Sequence, residues 1–538
     1  MSASLPDSLA TLLEPGAYPH PVDRIELVTT HISWVLLAGD YAYKIKRPVR
    51  YPFIDLTSLE RRRLLCEEEL RLNRRFAPEL YIEVCKVVGV AGAARMQSQE
   101  SAAACPACDG PVIEYAVRMH RFSRDEELDQ LLDRHRIEPY ELEAFGHELA
   151  QMHARAPAAA VTSSWGRPEA IHSELIRNLL ECADAAALFG SAGEVLKLRS
   201  ALQAKAEVCA PWMGARRGNG RIRECHGDLH SRNIVRVRGR LVAFDCLEYE
   251  PAWRWIDTAD EIAFLTSDLK ARGRPLHAQA FRAGYLAESG DYQACRLLTL
   301  YEAHRALVRA KVAALEAAQR PDAAAKDALR REHLRLLAFA AQALMSRKPC
   351  LLLMGGLSGS GKTWLARQLA ERLSAVHIRS DVERKRRAGL RELTPSHSRV
   401  GEDLYSAQAT ATLHADLERA AEDVLSGGLP AIVDATFLTR TQRARFAELA
   451  DRCGVGLQLI WCEAPEPLLR ARIAERMRAK RDASEADLGV LAWQLARAEE
   501  PAAEERMDVI RVDTLRPDAL DLTLRRIGGI ASARTDQL

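Results

Sequence analysis

The chain has 538 residues, of which 76 are Lys or Arg and 74 are Asp or Glu, for a formal net charge of +2. That length exceeds one ordinary domain, and the balanced charge argues against a protein held to nucleic acid or acidic membrane by a global basic field. Apolar residues make up 48% of the chain, enough for buried cores, but no run of about 18 of them offers a membrane span.

The opening residues, Met1 to Asp7, lack the charged and apolar regions of a signal peptide. The twelve cysteines are scattered, and only Cys105 and Cys108 are closely paired. One C-x-x-C without a second ligand pair reads as a plain loop ahead of a zinc or redox site. A reduced, cytoplasmic protein is the expectation.

Strand composition appears first at 24–30 and 33–38. Gly39-Asp40 is a turn signal, and Tyr41-Ala42-Tyr43-Lys44-Ile45-Lys46 follows with partial alternation. A small antiparallel meander is expected. A charged helix pattern runs from about Ser58 to Phe76 and carries Glu67, Glu68 and Glu69; Pro78 ends it. Further strands are expected at 80–84 and 112–119, with a loop or hairpin tip over 91–110. From Asp125 helices dominate, one beginning at Leu128 and another spanning Tyr140 to His153.

The next informative stretch is Cys225-His226-Gly227-Asp228-Leu229-His230-Ser231-Arg232-Asn233, followed by an apolar strand ending on Asp245. Trp253 to Leu265 opens a helical stretch. Asp228 and Asn233 have the spacing of the kinase catalytic loop. Phosphoryl transfer needs a carboxylate near the acceptor hydroxyl and oxygen ligands for Mg²⁺. Asp228 fits the first role; Asn233 and Asp245 fit the second. A strand lysine paired with a helix glutamate would complete an ATP site. Lys44, in Ala42-Tyr43-Lys44, fits the A-x-K pattern. Lys46 shares its strand face and competes with it, and Glu68 competes with Glu69. His230 is open to substrate contact or to a hydrogen bond within the loop. Arg305 lies with Arg309 on a helix whose basic residues are open to the cleft, with a solvated face the first expectation.

The run His226-Gly227-Asp228 to Asn233 resembles the H-G-D-x-x-x-x-N motif of the aminoglycoside phosphotransferase and choline kinase-like family. The resemblance spans about 20–320 and implies a two-lobed fold, with Asp228 as catalytic base and Asn233 and Asp245 on Mg²⁺. The segment 27–33 lacks a glycine-rich phosphate loop, which leaves a weakened or inactive domain open.

Pro321 breaks the helical pattern; Leu329 to Leu344 resumes it and Pro349 stops it. The expected domains are 1–335, a helical connector over 336–348, and 349–538, with the boundary near 346. An apolar run, Cys350 to Gly355, then leads into Gly356-Leu357-Ser358-Gly359-Ser360-Gly361-Lys362-Thr363 and a helix pattern. Strand, G-x-x-x-x-G-K-T and helix together form a phosphate-binding loop: backbone N–H groups turn inward and the helix N-terminus adds positive charge. Lys362 would reach the β/γ-phosphates of ATP, and Thr363 would hold Mg²⁺. Strands at 351–354, 376–378, 431–433, 457–461 and 509–512 alternate with helices, which predicts a parallel sheet covered on both faces. Asp381 and Asp434 fall at strand C-terminal ends, where ligands bind. Asp381 would face the acceptor hydroxyl as base, and Asp434 would support the metal beside Thr363. Arg472, Arg476, Arg478 and Arg481 form a basic run suited to a lid; Arg478 is the residue expected on the phosphates.

This half is similar to P-loop small-substrate kinases, including gluconate kinase, adenylylsulfate kinase, polynucleotide kinase and zeta-toxin-like enzymes. The two halves together resemble bacterial proteins that fuse an aminoglycoside phosphotransferase-like domain to an ATP-binding kinase domain. The expected fold is an α+β two-lobed kinase-like domain followed by an α/β P-loop domain with a five-stranded parallel sheet. The expected activity is transfer of the ATP γ-phosphoryl group, with Mg²⁺, to a hydroxyl of a small molecule. A pseudokinase that regulates the P-loop half and a polynucleotide 5′-hydroxyl kinase are the alternatives.

Overall fold

The computed structural model describes residues 5–535 apart from 52–53, 91, 99–109, 346–347, 396–405, 480–482 and 506. The cysteine pair at 105 and 108, the boundary residue 346 and Arg481 therefore lie outside the described residues. Two compact units form. The first comprises Met1–Glu141, Met152–Gly166 and Arg217–Leu265, and the second Leu142–Gln151, Arg167–Arg216 and Thr266–Leu538.

In the first unit a six-stranded antiparallel sheet has the order Ile25–Thr29, Ser33–Ala38, Tyr41–Lys46, Val112–His120, Tyr81–Val88, Arg95–Gln97. Gly39 makes the tight turn of the meander at φ +58. Alternation in Tyr41–Lys46 sends Tyr43 and Ile45 into the apolar cluster with Trp34, Leu36, Cys85 and Val87. Lys44 and Lys46 share the opposite face. The helix Leu59–Asn73 packs against that face. Ser58 caps it by accepting from Arg61 N, and its buried side includes Leu65, Cys66, Glu69 and Leu72. Within the segment expected as a loop or hairpin tip, the described residues include a short strand, Arg95–Gln97, paired antiparallel with Lys86–Val88. Downstream, Ile234–Val237 and Arg240–Ala243 form an antiparallel ribbon. Trp255–Asp257 is a strand paired with Ile222–Glu224, and the helix expected from Trp253 begins only at Thr258. Asp257 sets that start by accepting from Ala259 N at 2.8 Å.

In the second unit a five-stranded parallel sheet has the order Val376–Arg379, Ala431–Asp434, Cys350–Gly355, Gly456–Glu463, Asp508–Asp513. The strand that leads into the glycine loop is central, so its Leu351, Leu352, Leu353 and Met354 are fully buried. Helices Pro168–Ala186, Pro275–Ser289, Cys295–Gln319 and Ala323–Leu344 belong to the same unit. The expected boundary near 346 thus falls inside it. Polar contacts, one buried and two part-buried, account for this. Arg282 donates to the carbonyl of Ser374 at 2.8 Å, Tyr292 Oη donates to Glu383 Oε1 at 2.8 Å, and Arg296 pairs with Asp423. Arg305 and Arg309 do not form the solvated face expected of them. Both are buried, because Cys295–Gln319 packs against Pro168–Ala186 on one side and Ala323–Leu344 on the other.

Candidate functional site

Two constellations of polar side chains stand out, one in each unit. In the first, Lys44 Nζ donates to Glu69 Oε1 at 2.8 Å and pairs with Asp245. Lys46 pairs with the other oxygen of Glu69 and with Glu248. Glu69 is thus held between two ammonium groups. Glu68 points elsewhere, to Arg71 and Arg254. The two lysines separate by depth: the Lys46 side chain has no solvent exposure, and only Lys44 meets Asp245. Burial alone would raise the Glu69 pKa; Lys44 and Lys46 outweigh it and hold the carboxyl below its ordinary value. Desolvation likewise pushes Asp245 upward, and the Lys44 charge and hydrogen bond hold it low. Glu248 goes the other way, raised by burial that Lys46 only partly offsets.

The catalytic-type loop lies in the same unit. Asn233 Nδ2 donates to both the carbonyl and Oδ2 of Asp228, each at 3.0 Å. His230 Nδ1 accepts from Arg232 N at 3.2 Å, which leaves Nε2–H to face Asp228 Oδ2 at 3.4 Å. His230 therefore serves the loop and touches the candidate base. His226 Nε2 donates to Phe244 O at 2.9 Å, and its pKa is lowered to about 4, first by burial. Beneath the loop lies Glu261, fully buried, which accepts from His226 N at 2.7 Å and from Gly227 N at 3.0 Å. Sequence reasoning missed Glu261, because an acid early in a helix ordinarily reads as a dipole partner. Asp245 sits at φ +62, with its N–H on Tyr81 Oη at 3.1 Å. That unusual backbone turns its side chain toward Lys44.

In the second unit the loop Gly356 to Thr363 joins the central strand to the helix Lys362–Leu373. A Cβ on Gly356, at φ +124, would lie 2.4 Å from the carbonyl oxygen of Cys462, so only glycine fits. Gly361, at φ +87, occupies the helix N-cap and places Lys362 and Thr363 in the first turn. Leu357 packs on Leu469, Ile473 and Leu491. Gly359 O accepts from Arg472 at 3.1 Å, and Ser360 O accepts from Thr514 at 2.6 Å. Ser358 N donates to Gln494 Oε1 at 2.8 Å.

A cavity of about 150 Å³ opens beside this loop. Lys362, Thr363, Asp381, Arg384 and Asp434 line it. His377 Nε2 donates to Asp434 Oδ2 at 3.2 Å. Burial acts to raise the Asp434 pKa, and His377, Lys362 and Thr363 outweigh it. The other oxygen, Oδ1, is buried without a hydrogen-bond partner among the described residues. Sequence inspection missed His377 and Gln494; no spacing rule flags either, since each meets its partner across a sheet or from a distant helix. Arg478 is not brought to the loop. It is exposed, and its Nε donates to Ala474 O at 3.3 Å. Six residues of helix turn it about 240° from Arg472, which takes the contact with Gly359 instead.

The donor chemistry of both constellations fits Mg²⁺. Asn233 with Asp245, and Thr363 with Asp434, offer hard oxygen ligands, and the orphaned Asp434 Oδ1 is an oxygen that a hydrated cation would satisfy. Among the described residues no helix is long and apolar enough to cross a membrane.

Two families match separate parts of the chain. The Phosphotransferase enzyme family matches residues 56–298, and the AAA domain family matches residues 351–501. Uncharacterized proteins of Mycobacterium tuberculosis (strain H37Rv) and Mycobacterium bovis are each 30% identical over 468 residues, covering 86% of this chain and 89% of theirs. Among solved structures, a gluconokinase from Sinorhizobium meliloti is 22% identical, covering 36% of this chain and 98% of its own, with a TM-score of 0.26. A choline/ethanolamine kinase family protein from Mesorhizobium loti is 15% identical, covering 60% and 93%, with a TM-score of 0.31.

Proposed function

The chain belongs to the family of these mycobacterial proteins and carries a phosphotransferase-family domain ahead of a P-loop kinase domain; from that premise we propose that it is an ATP-dependent phosphotransferase with two nucleotide sites. Each site transfers the γ-phosphoryl group to a hydroxyl of a small molecule.

In the first unit Lys44, fixed by Glu69, holds the α/β-phosphates. Asp228 accepts the proton of the acceptor hydroxyl, with Asn233 steadying it. In the second unit the N–H groups of Gly356 to Thr363 cradle the phosphate chain, Lys362 reaches the β/γ-phosphates, and Asp381 serves as base. Asn233 with Asp245, and Thr363 with Asp434, would hold Mg²⁺, which would supply charge neutralisation to the phosphates. The observation that carries the reading is the convergence of Lys362, Thr363, Asp381 and Asp434 on one cavity. In the first unit, the Lys44–Glu69–Asp245 ion-pair chain supports a working site over a pseudokinase.

The test is transfer of labelled γ-phosphate into a metabolite extract by the full chain and by Asp228→Asn and Lys362→Ala. Each variant should lose a distinct set of labelled products. If Asp228→Asn leaves every product intact, the first site is no kinase; if Lys362→Ala does, the second is none.

A further inference from the structure

The first unit contains an ion pair, Lys46–Glu248, to which the reaction proposed above gives no role. It is the inner end of a chain of alternating charge that runs Asp245, Lys44, Glu69, Lys46, Glu248. The two ends differ in depth. The Asp245 side chain is 45% exposed, whereas Lys46 has no exposure and Glu248 only 4%. An ammonium group taken wholly out of water is costly unless it is paired, and Lys46 is paired twice. The backbone builds both ends. Lys44 and Lys46 lie two residues apart on the strand Tyr41–Lys46 and share a face. Asp245 and Glu248 lie three residues apart on the segment that follows the strand Arg240–Ala243. The four inner groups cancel in charge, so the surplus negative charge is that of Asp245, at the open end.

Glu69 is the joint of this chain. Its Oε1 accepts from Lys44 at 2.8 Å, and its Oε2 accepts from Lys46. The Glu69 side chain has no exposure, so no solvent dilutes its charge. With one lysine alone, that whole charge would bear on Lys44 at low dielectric, and one carboxylate oxygen would lose its donor. Lys46 removes both difficulties. It satisfies Oε2, fixes the plane of the carboxylate and leaves Oε1 aimed at Lys44. Lys44 also holds Asp245, the residue suited to the metal, so it must exchange that carboxylate for phosphate when nucleotide enters. Lys46, shut off from solvent, keeps Glu69 in place and compensated through the exchange. Glu248 gives Lys46 a second carboxylate at the closed end.

We propose that Lys46 is a positioning residue of the first nucleotide site, with Glu248 as its counter-ion. Lys46 holds Glu69 so that Lys44 is free to pass from Asp245 to the ATP phosphates. The assignment rests on the reading of the first unit as a nucleotide site.

The experiment uses the full chain carrying Lys362→Ala, so that binding reports the first unit alone. Mg–ATP is titrated by calorimetry, and urea unfolding is followed on the same samples. Lys46→Met and Glu248→Met are introduced together, which leaves Glu69 with Lys44 and no buried charge alone. Replacing a whole buried ion pair by apolar groups of similar volume is often neutral or stabilising, so the urea midpoint should hold or rise. The Kd for Mg–ATP should nevertheless rise about tenfold, the loss typical of a residue that orients a ligating group. Lys46→Arg, which keeps the cation, should recover most of the affinity. Should the double variant misfold, Lys46→Gln carries the test with the same expected rise, since it donates to both carboxylates without the charge. A Kd within about twofold of the parent in either variant would overturn the proposal, as would an affinity that falls only in step with the urea midpoint. If the Lys362→Ala parent itself binds no Mg–ATP, the nucleotide reading of the first unit fails instead.

Discussion

Glu69 and His226 show how burial and neighbouring charge act on single residues of the first unit. Glu69 is wholly buried yet held low in pKa by two lysines. Removing its charge leaves Lys44 and Lys46 short of a partner in a desolvated place, so Glu69→Gln should destabilise the first unit by about 3–5 kcal/mol. Urea unfolding of that variant checks the figure; a change below about 1 kcal/mol would show that Asp245 and Glu248 suffice. His226 gives a pH signature. Its folded pKa of about 4 lies below the ordinary 6.5, so between those values the unfolded chain binds the proton and the folded chain does not. Stability is then full above pH 6.5 and falls as pH drops toward 4, by up to about 3 kcal/mol. Asp228, Asp245 and His230 face this group and modulate the slope. The difference in unfolding free energy between the wild type and His226→Asn should change by about 3 kcal/mol between pH 7 and pH 4, in the direction that weakens the wild type at low pH. Parallel curves would contradict the assignment. Lys44, Asp228, Asn233, Lys362, Thr363, Asp381 and Asp434 were all readable as candidates, because phosphoryl transfer demands those residue types at fixed spacings. Glu261, His377 and Gln494 were not, because each acts through a contact made by the fold rather than by a motif.

At the scale of elements, the helix Ser380–Arg387 carries both Asp381 and Arg384, and its position is fixed from outside the sheet. Tyr292 Oη donates to Glu383 Oε1 at 2.8 Å, and Arg386 pairs with the same carboxylate. A hydrogen bond to a buried charged group is worth about 1.5–3 kcal/mol. Tyr292→Phe should therefore loosen this helix and raise the acceptor KM several-fold, while the KM for ATP, set by a different loop, stays constant. Equal changes in both constants would show general destabilisation instead. The elements themselves were legible. Five short runs separated by helix patterns became five parallel strands; the three inner ones are buried on both faces and so are mostly apolar, while the edge strands Val376–Arg379 and Asp508–Asp513 alternate. The burial of Arg305 and Arg309 was illegible, because a basic helix reads as solvated until its neighbours are known. Arg478 failed similarly: a run of arginines shows a basic helix but not which face meets the loop.

For the whole molecule, the sequence places a boundary near residue 346, whereas the second compact unit reaches back to helices at 167–216 and 266–344. Linker composition shows where the chain bends and says nothing of which surfaces pack. A fragment 349–538 would lose the partners of Ser374, Glu383 and Asp423, one buried and two part-buried polar contacts worth about 1 kcal/mol each. Calorimetry should find it melting about 5–10 °C below the corresponding transition of the full chain. An unchanged transition would show that the P-loop sheet stands alone.

The central claim is that one chain holds two ATP sites, one in each unit. Calorimetric titration of Mg–ATP into the full chain tests it most directly. The account predicts two equivalents bound by the wild type, one by Lys362→Ala, one by Lys44→Ala, and none by the double variant. A single equivalent in the wild type, lost entirely in Lys362→Ala, would contradict it and leave the first unit without a nucleotide.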